Sequence, residues 1–130
     1  MIFVDTSAWV EYLRDTGCWA CEQLDARLDD DLAISDMVRL EVLAGVGDDG
    51  HVRQLRRLLA RATLLPTTPP DHDHAASIYR SCRQHGRTVR ALSDCLIAAV
   101  AARHGTPVLH ADLDFDVLGE ITGLQVVAPS

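Results

Sequence analysis

Short apolar runs of strand length recur along the chain, separated by longer segments with apolar residues at helical spacing. The runs cover residues 2–4, 32–34, 64–65, 106–110 and 125–127. Helices are predicted between them, where apolar side chains recur every three or four positions, over 6–14, 18–30, 36–44, 51–62, 71–84, 93–104 and 114–119. Strands that alternate with helices predict a mostly parallel central sheet with helices on both faces, which is a three-layer α/β fold.

The length of 130 residues suits one domain, so we expect residues 1–130 to form a single unit. The predicted helix 93–104 is apolar almost all round and is expected to be buried. The longest apolar stretch, 96–102, is far shorter than the ~20 residues that cross a bilayer. The N-terminus has no basic region and does not resemble a signal peptide. We therefore expect a cytoplasmic protein without a membrane segment.

Charge is distributed unevenly along the sequence. Twelve basic residues, all arginine, face nineteen acidic ones, which gives a net charge of −7. Residues 51–91 carry a net charge of +6, whereas 1–50 and 92–130 carry −9 and −4. The arginines of the central segment are either solvated helix faces or contacts for a phosphate backbone. Among them, Arg87 and Arg90 come closest in sequence to an acidic position, Asp94, and are the first candidates for such backbone contacts.

Four acidic residues lie where their neighbours predict burial. Asp5 and Asp112 each follow an apolar strand, Glu41 lies within the third predicted helix, and Asp94 opens the most apolar one. Each has a structural alternative taken alone: Asp5 as a helix cap, Asp94 as a helix-start acid, Glu41 as a surface residue. Together they favour a metal site, because buried carboxylates are costly unless paired, protonated or metal-bound.

A divalent cation would neutralise these acids, and oxygen ligands select Mg²⁺ or Mn²⁺ over zinc. Such a centre activates water and offsets charge on a leaving oxygen, which is the chemistry of phosphodiester hydrolysis. Ligands of parallel sheets bind beyond the carboxyl ends of the strands, where Asp5 and Asp112 are expected.

The sequence also resembles a known family. The opening MIFVDTSAWVEYLRD is similar to that of PIN domains, above all those of VapC-type toxins from bacterial toxin–antitoxin pairs. The segments SDMVRLEVLAG, SDCLIAAVAARHG and HADLDFDVL follow in the family's order, across essentially all 130 residues.

This resemblance implies a Mg²⁺- or Mn²⁺-dependent endoribonuclease with a PIN-like fold, for which transfer RNA and ribosomal RNA are precedents as substrates. Asp5, Glu41, Asp94 and Asp112 would be catalytic metal ligands, Asp114 a weaker one, and Thr6 a supporting hydroxyl. The family further implies a 5′-phosphate product, a homodimer, and a VapB-type antitoxin that covers the acidic site, often with an arginine.

One position departs from the family pattern. Where the family often has threonine or serine, two residues before Asp112, this chain has His110. The imidazole either does similar supporting work or packs at the end of the strand. A different kind of function is also compatible with the acids: a non-catalytic module whose acidic pocket binds an Arg-rich partner.

Other motifs are weaker. Cys18 and Cys21 have the spacing of a redox motif but lie far from a strand-to-helix junction, so we expect reduced packing cysteines. A zinc site that joined them to Cys82 and His85 would need two halves that are distant in sequence. Haloacid-dehalogenase-type phosphotransferases need an aspartate where Ser7 stands, and receiver domains need a lysine, which the chain lacks.

Overall fold

The computed structural model describes residues 1–127 as four strands and seven helices. In chain order these are β1 Ile2–Val4, α1 Thr6–Leu13, α2 Trp19–Ala26, β2 Leu32–Ser35, α3 Asp36–Ala44, α4 Asp49–Leu59, β3 Thr63–Leu65, α5 Pro69–Gln84, α6 Leu92–Arg103, β4 Val108–Leu109 and α7 Leu113–Thr122. Every predicted element is present within these residues except the last strand, which is reduced to a single bridge between Val108 and Val126.

The four strands form one parallel sheet in the order β3-β2-β1-β4. Phe3 of β1 lies at the centre, paired with Ala33 on one side and Val108 on the other. Because all strands run the same way, their carboxyl ends share one edge of the sheet. The residues that follow β1 and β4 therefore come together there.

Helices cover both faces of this sheet, as the sequence predicted. The chain steps from β1 through β2 to β3 in one direction and then returns to β4 on the far side of β1. Right-handed crossovers place α1–α4 on one face and α5–α7 on the other. The helix contacts agree, since α1 packs on α2 and α3, whereas α5 packs on α6 and α7. The three-layer α/β architecture is thus confirmed.

The core is continuous between the layers. Phe3, Trp9 and Phe115 are fully buried large side chains, and residues 95–101 of α6 are buried without interruption. That burial confirms the expectation drawn from the all-round apolar character of this helix. Within residues 1–127 no helix combines the length and apolarity that crossing a membrane requires.

Several element ends differ from the prediction. Helix α2 ends at Ala26 and not at residue 30, because three consecutive aspartates, 29–31, follow it and aspartate is a poor helix former. Helix α7 is a full helix of 10 residues where one turn was predicted, and it ends at Thr122, before Gly123, whose φ of +76° suits glycine. The first helix is capped by Asp5, which is the structural role that the sequence left open for this residue.

Candidate active site

A cavity of about 330 Å³ opens at the carboxyl edge of the sheet, beside the ends of β1 and β4. It contains all four acids singled out from the sequence, together with Asp114 and Thr6. Its lining residues are Asp5, Thr6, Ser7, Glu41, Arg90, Ala91, Ser93, Asp94, Asp112 and Asp114. Residues from four separate parts of the chain thus converge on one cavity.

The two carboxylate oxygens of Asp5 have different surroundings. Oδ2 accepts hydrogen bonds from the backbone N–H of Ser7 at 3.0 Å and from its hydroxyl at 2.5 Å, and so caps α1. Oδ1 is buried and has no hydrogen-bond partner among the described residues. Burial raises the pKa of Asp5 despite the hydrogen bonds from Ser7, and repulsion from Glu41 adds to the rise. A buried, unpartnered carboxylate oxygen is the position that a cation would satisfy.

Ser7 is a site residue that the sequence analysis did not identify. Its hydroxyl donates to Asp5 and accepts from the backbone N–H of Ala111 at 2.9 Å. This one oxygen therefore ties the end of β1 to the loop after β4. The signal in the sequence was a hydroxyl residue two positions after a strand-ending aspartate, which is also the pattern of an ordinary helix start.

Glu41 reaches the cavity from the middle of α3. The Thr6 hydroxyl donates to its Oε1 at 2.9 Å, and both side chains are partly buried. The interaction joins the first turn of α1 to α3. It leaves the other carboxylate oxygen of Glu41 without a side-chain donor among the hydrogen bonds of the described residues.

Asp94 lies among other carboxylates in the cavity, and its ionised form is disfavoured there. It lies in the first turn of α6 and is partly buried. Burial, followed by repulsion from Asp5, Asp112 and Glu41, raises its pKa from 3.8 to about 7. Ligand oxygens of Asp94, Asp112 and Asp114 all lie within 4.8 Å of one another. Three carboxylates so close together favour either a bound proton or a bound cation.

Comparison with known proteins agrees with this geometry. Residues 2–121 match the model of the PIN domain. In an alignment of 132 positions the chain is 42% identical to the ribonuclease VapC11 of Mycobacterium tuberculosis, with 98% of each chain covered. The chain belongs to the PIN-domain family of VapC ribonucleases.

Solved structures show the same fold. VapBC2 from Rickettsia felis, bound to a DNA fragment from its promoter, has a TM-score of 0.78 at 18% identity and covers 100% of both chains. VapC20 of Mycobacterium tuberculosis, a toxin that cleaves the sarcin–ricin loop, has a TM-score of 0.71 at 23% identity, over 99% of this chain and 100% of that one. At these identities the likeness supports the PIN fold alone.

In this PIN domain a guanidinium group already occupies part of the acidic cavity. Arg90 donates from Nη2 to Asp112 Oδ1 at 2.8 Å and from Nε to Asp114 Oδ2 at 3.1 Å. Its backbone N–H also donates to Asp114 Oδ2, at 3.1 Å. The Arg90 side chain is 72% exposed, so it covers the acids from the solvent side. These bonds raise the pKa of Arg90, first through Asp114 and then through Asp112.

The remaining sequence candidates lie at the margin of the PIN-domain site. His110 is outside the lining of the cavity, but its Nδ1 accepts from the backbone N–H of Asp112 at 3.2 Å. Its Nε2 is 3.3 Å from Asp116, and its ring stacks on Phe115 with centroids 5.5 Å apart. His110 thus packs at the end of the strand and accepts a hydrogen bond from the loop that carries Asp112, while a role in supporting the acids stays a prediction.

Arg87 does not line the acidic cavity. Its Nη1 donates to Glu120 at 2.7 Å, which attaches the loop before α6 to α7. The pair is substantially exposed on both sides. Arg90 is the one arginine of the segment 51–91 that lines the cavity within residues 1–127.

Proposed function

We propose that this protein is a Mg²⁺-dependent endoribonuclease, the toxin of a VapBC-type toxin–antitoxin module, and that it hydrolyses phosphodiester bonds of transfer or ribosomal RNA. The relative that is 42% identical along nearly the whole chain is named a ribonuclease. The observation that carries the proposal is the unpartnered, buried Oδ1 of Asp5 in a cavity where carboxylates raise one another's pKa.

The residues of the cavity fit a hard divalent cation. All the candidate donors are carboxylate oxygens, which suit Mg²⁺ or Mn²⁺, and neither sulfur nor imidazole lines the cavity within the described residues. Asp94, Asp112 and Asp114 would hold the ion, with Asp5 and Glu41 joining directly or through water. When bound, such an ion activates water for attack on phosphorus and neutralises charge on phosphate oxygens.

The surrounding residues would position these ligands. Ser7 fixes one oxygen of Asp5 so that the other points away from the helix cap, and Thr6 orients Glu41. Helix α7 begins directly after Asp112, which accepts from the backbone N–H of Asp114 at 3.0 Å. Arg90 places a positive charge at the mouth of the cavity, where an RNA phosphate would arrive.

The test of the enzymatic proposal is RNA cleavage by the variants Asp5→Asn and Asp94→Asn in Mg²⁺. Because removal of groups that merely orient metal ligands costs about 10–100-fold, we expect losses of at least the upper value for these two. Asp73→Asn is the matched control, since Asp73 is exposed on α5 outside the cavity. Undiminished cleavage by Asp94→Asn, or cleavage by the parent protein that persists in EDTA, would overturn the proposal.

The proposed partners are a VapB-type antitoxin and a second copy of the chain. One solved neighbour, from Klebsiella pneumoniae, is named a toxin–antitoxin complex. Co-expression with a cognate VapB-type antitoxin is expected to give a complex that no longer cleaves RNA. Light scattering of the isolated protein is expected to give twice the chain mass of 14.2 kDa. A monomer would contradict the proposed dimer. RNA cleavage that persists in the presence of the antitoxin would contradict the proposed inhibition.

A second function has one observation in its favour. The bonds from Arg90 show that Asp112 and Asp114 accept a guanidinium group, which is what a non-catalytic pocket for an Arg-rich partner would require. Calorimetry separates the two functions. A nuclease site is expected to bind Mg²⁺, and that binding should be lost in Asp94→Asn, whereas a peptide pocket has no need of the metal.

A further inference from the structure

Two cysteines that the proposed nuclease function does not use lie at the start of α2. Cys18 is the N-cap residue of this helix, with extended backbone angles, and Cys21 lies one turn later. Their sulfur atoms are 3.0 Å apart. The pair does not follow a strand directly, but it does lie at the N-terminus of a helix.

The two thiols have unequal environments, as the members of a redox pair do. Cys18 is half-buried, whereas Cys21 is 7% exposed, with the Thr16 hydroxyl 3.4 Å from its sulfur. Burial opposes ionisation of Cys18, but hydrogen bonds from the side chain and backbone of Cys21 outweigh it and lower the pKa of Cys18. The positive end of a helix dipole favours a thiolate at this position in the same direction.

The other cysteines provide an internal contrast. Cys82 and Cys95 are 1% and 0% exposed, and both belong to the hydrophobic core. Burial raises the pKa of both thiols, that of Cys95 to about 11. Thiols of this kind are inert, because the thiolate is the reactive form and it has to be reached by the oxidant.

We propose that Cys18 and Cys21 are a redox-active pair that hydroperoxides convert reversibly into a disulfide within one helical turn. This proposal does not depend on the nuclease activity. The sulfur atoms need to approach by about 1 Å, from 3.0 Å to the bonded distance of about 2.05 Å. A half-buried Cys18 that meets the oxidant and a buried Cys21 that resolves the product suit such a reaction.

The reaction has two balanced steps. The Cys18 thiolate attacks a peroxide oxygen, so that an S–O bond forms and the O–O bond breaks, and the departing oxygen takes up a proton and leaves as an alcohol or water. The sulfur of Cys21 then attacks the sulfenic acid, so that the S–S bond forms and the S–O bond breaks. Hydroxide leaves and takes the thiol proton as water. The two sulfurs together lose two electrons, which the peroxide gains.

Trp19, between the two cysteines, makes the reaction observable. Its side chain lines a cavity of about 210 Å³ together with His110, Asp112, Leu113 and Asp116. The other tryptophan, Trp9, is 1% exposed in the core. Trp19 thus lies beside the loop that carries Asp112. A change in the first turn of α2 is therefore expected to alter the fluorescence of Trp19.

Peptide mapping after oxidation tests the proposal on the intact folded protein. Trypsin cleaves after arginine, so residues 15–27 form one peptide that holds both Cys18 and Cys21, whereas Cys82 and Cys95 fall in separate peptides. After treatment with stoichiometric hydrogen peroxide and alkylation, we expect this peptide to lose two hydrogens, about 2 Da, and to regain them with dithiothreitol. Trp19 fluorescence should change and recover in parallel.

The variants Cys18→Ser and Cys21→Ser give the controls. Cys21→Ser is expected to accumulate a sulfenic acid at position 18 that a cyclic dione traps, and Cys18→Ser to show neither product nor the fluorescence change. In the parent protein, iodoacetamide should modify Cys18 at least about ten times faster than Cys82. The proposal is overturned if peptide 15–27 keeps two free thiols while other cysteines oxidise, if its oxidation is not reversed, or if Cys18 and Cys82 react equally fast.

Discussion

Replacing Asp94 with asparagine is expected to stabilise the metal-free protein near neutral pH while abolishing its activity. The pKa of Asp94 is about 7 in the folded protein, against an ordinary value of 3.8. Between these pH values the folded protein holds a proton that the unfolded chain has released, so the free energy of unfolding falls as pH rises from about 4 to about 7. Above that range, and in the absence of metal, the ionised side chain lowers the free energy of unfolding by the full amount.

The size of the penalty follows from the shift. About three pH units at about 1.4 kcal/mol each would amount to roughly 4 kcal/mol. Asp94 is only partly buried, so screening by solvent reduces the figure, and we expect about 2 kcal/mol. Asparagine keeps the shape of the side chain but carries no charge. It should therefore remove the repulsion with Asp5, Asp112 and Glu41.

Urea unfolding measures this effect directly. In EDTA near pH 8, Asp94→Asn should be the more stable protein, and the difference should shrink toward pH 4. In Mg²⁺ the parent protein should gain stability, because the ion binds the folded state, and Asp94→Asn should not. Asp73→Asn should behave like the parent throughout. The reasoning is refuted if Asp94→Asn is destabilised equally at both pH values. It is also refuted if the free energy of unfolding of the parent protein does not change between pH 4 and pH 8.

Three further variants test other parts of the site and fold. Arg90→Gln removes the guanidinium group that competes with a metal ion for Asp112 and Asp114. Calorimetry should therefore show that the variant binds Mg²⁺ several-fold more tightly, by about 1 kcal/mol. Unchanged or weaker binding would count against competition between Arg90 and the metal. Thr6→Val takes away the donor to Glu41, and should lower RNA cleavage about tenfold without a change in thermal stability; full activity would exclude a positioning role. Arg103→Met leaves the buried Asp71 unpaired, and denaturant unfolding near pH 7 should show a loss of about 3 kcal/mol. Burial opposes ionisation of Asp71, but Arg103, together with hydrogen bonds from Thr68, lowers the pKa of Asp71 to about 2, so the loss should diminish as pH falls from about 4 toward 2. A loss that is independent of pH would contradict the ion-pair explanation.

The order of strands and helices was accessible from the sequence because hydrophobic periodicity is a local signal. It located β1, α6 and the acid-bearing ends of the strands to within a few residues. Short elements at the end of the chain were harder. Helix α7 extends beyond the predicted turn to Thr122, where Ile121 also packs against the core, and that packing is not visible in a window of ten residues.

The acids of the candidate site could be chosen from sequence because carboxylates in apolar surroundings stand out. Their partners could not. The link from Ser7 to Ala111 joins residues 104 positions apart. Arg90 reaches Asp112 and Asp114, which are 22 and 24 positions later in the chain, and no local pattern specifies these contacts. The expectation for Arg87 and Arg90 as RNA contacts rested on nearness in sequence, and the structure gives the two arginines different acidic partners.

The two carboxylate oxygens of Asp5 have different roles: Oδ2 caps α1, whereas Oδ1 is buried without a hydrogen-bond partner among the described residues. Asparagine caps helices about as well as aspartate, so Asp5→Asn keeps a folded molecule while withdrawing its negative charge from the cavity. If the proposed function holds, Asp5→Asn is therefore expected to give a folded, non-toxic protein through a single substitution. Such a variant should be producible in living cells without the antitoxin, and should bind intact RNA that the parent protein would cleave.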